Sequence, residues 1–526
     1  MALFDLIIKA GLICDGSGKE PYPGDIGIKD GRIAGLGDYN YNDGEEVVLA
    51  PGQVIAPGFI DMHGHSEIAL LINPSADSKI QQGITTEVFG NCGMAPAPLL
   101  GEYREEVLPD LEKEYQTKIT WTTFAEYCRE LEHVQPAINA VPLIGQGNIR
   151  GAVYGFKAGD ADPQQLQEMR NILGQGLKEG GAGVSTGLIY SPGSYTSTEE
   201  IINLLKGMDC RFYSSHIRDE GAGLLQSVEE AIAIGRVLGA RVEISHLKAS
   251  GRPNWGKSRE ALALIDQAVK EGLPVGCDVY PYLASSTGLS AFLPNWAKIG
   301  TKAEYLGRLA NPEIREKIKA ELPDREWTNV VITEVWGNSN RDIPGKSIAQ
   351  IAEDRSAGEK DTILNLLLEE DGDVGMIHFS MCEEDLIEII KSPHSCFGSD
   401  STARTPKGLL GQGLPHPRTY GTFPKILAEY VREKGILSLG QAIHKMTGLT
   451  AERLGFSDRG KIAPGYWADM VVFDPNDIKD RAGYLNPHQF PQGILCVLVN
   501  GRVTVWKGEL TGSRAGKILL RGENNG

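Results

Sequence analysis

Two histidines one residue apart, His63 and His65 in Asp61-Met62-His63-Gly64-His65, follow directly on the apolar run Val54–Ile60. Residues i and i+2 of an extended chain share a face, so the two imidazoles can bind one metal ion together. Four further side chains able to bind metal stand in the same kind of place, just past a strand-like run. Cys92 follows Thr85–Gly90, His216 follows Phe212–Ser215, His246 follows Val242–Ser245, and Asp400 follows Cys396–Ser399. Zinc takes nitrogen, thiolate and carboxylate ligands, and three protein ligands plus a water position make a catalytic site. Cys92, His216 and His246 form one such set; His63, His65 and Asp400 form a neighbouring one. Water on such a zinc has a pKa of about 7 and is a nucleophile at neutral pH. Asp400 is then placed to accept its proton and pass it to a departing amine. Taken singly, a cysteine here reads as a core thiol and a histidine as a satisfied polar group. The recurrence at successive strand ends calls for a common cause.

The runs that carry these residues alternate with helical patterns, the mark of a parallel α/β architecture. They are Val54–Ile60, Thr85–Gly90, Ile138–Ile144, Ala182–Ser185, Phe212–Ser215, Val242–Ser245, Val275–Val279 and Cys396–Ser399. Eight is the number a (β/α)8 TIM-like barrel needs, and such barrels keep their chemistry at the C-terminal strand ends. Two more runs, Val330–Thr333 and Gly375–Ile377, exceed the count. They predict an insertion after strand seven over about 287–350, suited to a lid, and an extra strand near 376. Residues 1–55 read as short strands with a hairpin turn at Asp30-Gly31, and a matching set begins near 455. The expected organisation is a small β-sandwich built from both termini (1–55 and 455–526) around a barrel at 56–454.

Composition narrows the function classes. The 526 residues carry a formal charge of −17, which argues against nucleic acid or an anionic membrane surface as a partner. No apolar run has the length of a membrane span, and the start lacks a signal-peptide pattern, so a cytoplasmic address is expected. The eight cysteines are scattered without a CxxC pair, which predicts free thiols in a reducing compartment.

The chain resembles the amidohydrolase superfamily, and within it the N-acyl-D-amino-acid deacylases (D-aminoacylases). The superfamily likeness lies in Asp5–Ile8 with Asp15-Gly16, Pro57–His65, and Gly465–Asp469. The family likeness lies in Gly90–Gly93, Ser215–Glu220, Ile244–Lys248, Tyr280-Pro281-Tyr282 with Ala284–Thr287, and Pro415–Arg418. The resemblance implies a zinc held tightly by Cys92, His216 and His246, with Cys92 replacing the bridging carboxylated lysine of other relatives. It implies a second, weaker position among His63, His65 and Asp400. It also implies that Lys248, Arg418, Tyr280 or Tyr282, and Ser285 grip the free carboxylate of an N-acyl-D-amino acid, a task suited to arginine. Glu67 stands where relatives usually carry aspartate. The loop 401–414, with Arg404 and Lys407, reads as a solvated flap. Two other readings compete: a hydrolase of cyclic amides (hydantoinase- or dihydroorotase-like) or of D-dipeptides, and a catalytically silent scaffold barrel. The sequence leaves the oligomeric state open.

Overall fold

The computed structural model describes residues 2–521; Met1 and the last five residues, part of the expected terminal unit, lie outside the described residues. Eight parallel strands follow one another around a closed ring. They are β1 (Phe59–Asp61), β2 (Ile84–Phe89), β3 (Asn139–Pro142), β4 (Val184–Gly187), β5 (Phe212–His216), β6 (Arg241–Ile244), β7 (Val275–Val279) and β8 (Ser395–Phe397). Parallel ladders join β1 to β2 to β3 and β4 through β8. The backbone bond from Ala182 N to the Pro142 carbonyl bridges β3 to the start of β4, and that from Met62 N to the Phe397 carbonyl closes β8 on β1. The strands are buried along nearly their whole length, as expected where helices cover a parallel sheet.

The first apolar run divides. Val54–Pro57 pairs with Met470–Phe473 in a nine-stranded sheet drawn from both termini, and only Phe59–Asp61 enters the barrel. The break falls at Gly58, where a Cβ would lie 2.2 Å from the Thr85 hydroxyl. The terminal segments therefore meet as expected, in one continuous hydrogen-bonded sheet over a core that includes Ile8, Ile26, Ile55, Met470 and Leu498. The tail returns to the barrel, where Leu519 N bonds the Ala140 carbonyl of β3.

The segment between β7 and β8 is wider than 287–350. Its sheet pairs Ala284–Gly288, Gly375–Phe379 and Val330–Glu334, so the run near 376 is the central strand of the insertion and no separate addition. The insertion has its own core, including Leu289, Leu309, Trp327, Ile332, Leu366 and Met376.

One buried cation ties the strand ends that carry the histidine pair. Lys79 is fully buried, and its ammonium donates to Asp61 Oδ2 (2.9 Å), Ser399 Oγ (2.7 Å) and the Ser401 carbonyl (2.8 Å), with Glu87 Oε1 at 3.2 Å. It thereby links β1, β2 and the chain beyond β8. Replacing it with methionine strands Asp61 and Glu87 in a dry interior, at a cost of about 3–5 kcal/mol. Lys79→Met is expected to lower the urea midpoint of unfolding accordingly; an unchanged midpoint would show that the ammonium contributes no net stability.

Candidate metal centre and substrate site

All six ligand candidates reach one end of the barrel. His216 ends β5, His246 lies two residues past β6, His63 two past β1, and Cys92 and Asp400 three past β2 and β8. Cys92 Sγ lies 3.4 Å from His216 Nδ1, 3.7 Å from His246 Nε2 and 3.4 Å from His63 Nε2. Asp400 Oδ1 stands 3.3 Å from His65 Nε2 and 3.7 Å from His63 Nε2. Three ligand groups result: Cys92 with His216 and His246, Cys92 with His63 and His65, and Asp400 with His63 and His246. Cys92 belongs to two of them.

The backbone is bent to make this happen. Cys92 (φ 56°), His246 (φ 36°) and Asp400 (φ 47°) all adopt the left-handed region, which costs a residue with a Cβ about 1–3 kcal/mol. Three such residues in one cluster mark a place where geometry overrides local preference. Gly64, between the paired histidines, has no room for a side chain because a Cβ would lie 1.8 Å from Glu87 Oε1. Gly398 is constrained in the same way, by His63 Cβ at 2.5 Å and Asp278 Oδ1 at 2.9 Å.

A zinc ion fits the donor set. Tetrahedral zinc with bonds of about 2.0–2.3 Å spaces its ligand atoms about 3.3–3.7 Å apart, and Cys92 Sγ stands 3.4 Å from His216 Nδ1 and 3.7 Å from His246 Nε2. A thiol has a single proton and cannot satisfy three imidazoles. Burial opposes ionisation of Cys92, but His63 and then His216 outweigh it and hold the thiol well below its ordinary range. Two carboxylates orient the rings. His246 Nδ1 faces Glu220 Oε1 at 3.0 Å and His63 Nδ1 faces Asp278 Oδ2 at 3.3 Å, which leaves both Nε2 atoms for the centre. Asp278 Oδ1 also accepts the His246 backbone N–H at 3.0 Å.

Around this centre lie the groups expected to meet a carboxylate. Arg418 Nη1 is 2.9 Å from Asp400 Oδ2 without hydrogen-bond alignment, and Nη2 donates to the Ser286 carbonyl at 3.3 Å. Burial opposes a charge on Asp400, but Arg418 and then His246 prevail and hold its carboxyl well below the usual range. The Tyr280 ring is 4.6 Å from the Arg418 guanidinium and 5.7 Å from the Lys248 ammonium. The Tyr280 hydroxyl and Arg418 Nε are both buried without a hydrogen-bond partner. Lys248 is neutralised by Glu220 Oε1 at 2.5 Å.

Not every expected residue joins this group. Tyr282 turns away: its hydroxyl is 3.4 Å from the Pro417 carbonyl and 3.4 Å from Asp480, so of the tyrosine pair only Tyr280 faces the cations. Ser285 lies on the insertion's edge strand opposite His378. Glu67 accepts from Gly90 N at 2.7 Å and stands 3.7 Å from His65 Nδ1. The loop 401–414 is no free flap, since Arg404 pairs with Glu334 of the insertion at 3.1 Å. Four site residues went unassigned in the sequence. Glu220 sat inside a quoted motif, and Asp278 is an acid within an otherwise apolar buried strand, a signal that could have been read. Tyr190, whose ring packs edge-on against His216 at 4.9 Å, and Lys79 gave no local signal.

Residues 373–505 match the model of an amidohydrolase family. An N-acyl-D-aspartate deacylase of Alcaligenes xylosoxydans xylosoxydans is 36% identical over 524 residues, covering 99% of this chain and 95% of that protein. The chain belongs to the D-aminoacylase family of amidohydrolases. Among solved structures, an N-acyl-D-glutamate deacylase from Bordetella bronchiseptica, complexed with zinc and a phosphonate mimic of the tetrahedral intermediate, superposes with a TM-score of 0.84. It is 33% identical, over 98% of this chain and 99% of that one. A D-aminoacylase described as activated by one metal and attenuated by a second gives a TM-score of 0.82 at 34% identity, over 98% and 100% of the two chains.

Membership and geometry together give a direct test. Cys92→Ala, purified with zinc, is expected to hold well under one equivalent, whereas Asp400→Asn retains about one. Metal analysis after gel filtration reads this; full retention by Cys92→Ala would remove the thiolate from the centre.

Proposed function

We propose that this chain hydrolyses the amide bond of N-acyl-D-amino acids to a carboxylate and a free D-amino acid, with zinc as cofactor. The observation that carries the reading is the juxtaposition of a Cys/His/His centre with buried, unpartnered donors on Arg418 and Tyr280. Buried polar groups without partners call for a ligand, and a planar carboxylate is the natural complement of a guanidinium. Cys92, His216 and His246 would hold the zinc, and His63, His65 and Asp400 border a second, weaker position. When bound, the metal supplies an acidified water and polarises the amide carbonyl.

The rest of the reaction falls to the chain's own residues. Asp400 is ionised and directs one oxygen toward the two first-strand histidines, so it accepts the proton of the attacking water and delivers it to the leaving nitrogen. Its other oxygen is held by Arg418 in the free enzyme. A substrate carboxylate drawing on Arg418 weakens that hold and raises the proton affinity of Asp400, so substrate binding readies the base. Arg418 and the Tyr280 hydroxyl fix the carboxylate, with the Lys248 ammonium 5.7 Å from the Tyr280 ring. Fixing the carboxylate and the acyl group at two points while the side chain fills a third pocket is what distinguishes the D form. Cyclic amides such as hydantoins lack the free carboxylate that this arrangement favours.

The setting belongs to the same proposal: a cytoplasmic enzyme whose partner is a small acylated amino acid. It is supported by eight cysteines that are all free thiols, and among the described residues no helix is long and apolar enough to cross a membrane.

A panel of N-acetyl-D-amino acids, their L-enantiomers and 5-substituted hydantoins tests the reading, with turnover of D substrates alone expected. Turnover confined to hydantoins would overturn it. Asp400→Ala is expected to lower kcat by at least about a hundredfold, the usual worth of general acid–base catalysis. Arg418→Met is expected to raise KM and to reduce the discrimination against amides that lack the carboxylate.

A further inference from the structure

The terminal sheet sends an arm toward the chain that carries Arg418. Between its strands Met470–Phe473 and Ile494–Val499, residues 479–492 fold back on themselves. Lys479 pairs with Gln492 at the base, and Gly483 with Asn486 near the tip. His488 donates from Nε2 to the Gly413 carbonyl at 3.1 Å, which leaves Nδ1 to accept the Tyr420 hydroxyl at 3.1 Å. The Tyr282 hydroxyl, facing the Pro417 carbonyl, is also 3.4 Å from Asp480 of the arm. At the tip, the Tyr484 ring packs edge-on against His416 at 5.2 Å and against Phe379 at 4.8 Å.

What that packing does is set by His416. Its Nε2 donates to the Ala284 carbonyl at 3.0 Å, and its Nδ1 accepts the Arg418 backbone N–H at 3.0 Å. That N–H opens the helix Arg418–Lys425, where no carbonyl of the helix can receive it. A carbonyl partner demands a proton on Nε2 and an N–H partner demands a bare Nδ1. The ring must therefore be neutral and in one orientation. Burial, and then the Arg418 charge, hold its pKa well below the ordinary histidine range, which secures the neutral form.

The insertion strand that receives His416 also receives Arg418, whose Nη2 donates to the Ser286 carbonyl at 3.3 Å. Phe379 pairs with Ala284 in the same sheet. Tyr484 thus lies across the joint between the insertion and the start of the Arg418 helix, touching Phe379 on one side and His416 on the other. Tyr282 and Tyr280 also flank the imidazole, at 5.1 and 6.1 Å, and both come from the chain after β7. Removing the Tyr484 ring opens space beside the imidazole. A ring free to turn loses its hydrogen bonds, and Arg418 loses the cap of its helix.

We infer that Tyr484 is a positioning residue for the carboxylate grip: through His416 it fixes the start of the helix that carries Arg418. The inference rests on the deacylase reading above and adds to it a residue of the terminal sheet. The test uses the zinc-loaded full chain and the D-amino acid whose N-acetyl derivative is turned over fastest. The carboxamide of that N-acetyl compound, which lacks the charge, is the second substrate.

Tyr484→Ala is expected to raise KM for the carboxylate substrate about tenfold, the worth of one charge-assisted hydrogen bond, with kcat within about threefold. Its preference in kcat/KM for carboxylate over carboxamide falls by a similar factor, and its bound zinc is unchanged. Tyr484→Phe keeps the wild-type values, because the ring makes the contact. Should Tyr484→Ala not fold, Tyr484→Leu carries the same test with a smaller rise in KM. A wild-type KM in the folded variant, or an equal loss toward carboxylate and carboxamide, overturns the inference. So does a Tyr484→Phe enzyme as impaired as Tyr484→Ala, which would give the role to the hydroxyl. Absence of wild-type turnover with every N-acetyl-D-amino acid instead overturns the parent reading, and this one with it.

Discussion

A thiolate, four imidazoles and a carboxylate, delivered by five different strand ends, must be held almost in contact without collapsing onto one another. Most of the local structure follows from that constraint. Cys92, His246 and Asp400 accept left-handed backbone to aim their side chains inward, and Gly64 and Gly398 give up side chains so that the strand ends can approach. Glu220 and Asp278 turn His246 and His63 so that one nitrogen of each faces the centre. Beneath them Lys79 ties the ends of β1, β2 and β8 through Asp61, Glu87 and Ser399. The centre is thus held by a polar shell of opposite charges, each group in it partnered by another.

The same economy shapes the substrate side. Asp400 and Arg418 form an ion pair, and in the proposed reaction the first serves as base and the second as carboxylate clamp. Under that proposal a single contact serves as a sensor, with Asp400 a better base once Arg418 is drawn to substrate. The insertion has its own core, and Arg404 joins it to the loop beyond β8.

Much of this was legible in the sequence because barrel enzymes put chemistry where strands end. Strand runs are short, apolar and easily seen, so the polar residues just past each one stand out, and the six candidates read in this way are the ones the structure brings together. What escaped detection depends on three-dimensional packing. Val54–Ile60 reads as one strand because nothing in its apolar pattern shows that Gly58 hands the chain from one sheet to another. The insertion's limits were misplaced because its central strand, Gly375–Phe379, lies about forty residues in sequence from the strand it pairs with at Val330–Glu334. Tyr280 and Tyr282 are equivalent by motif, and only the turn of the chain after β7 sends one toward the cations and the other toward Asp480. Lys79 had no local signature at all, since its partners come from three separate segments.

The central claim is that one zinc is held by a cysteine and two histidines, with the familiar paired histidines of the first strand beside it. X-ray absorption at the zinc edge, on protein loaded with one equivalent, tests this most directly. The account predicts one sulfur at about 2.3 Å together with nitrogen scatterers at about 2.0–2.1 Å, with the sulfur contribution lost in Cys92→Ala. A shell of nitrogen and oxygen alone in the wild-type protein would contradict it and move the metal to His63, His65 and Asp400.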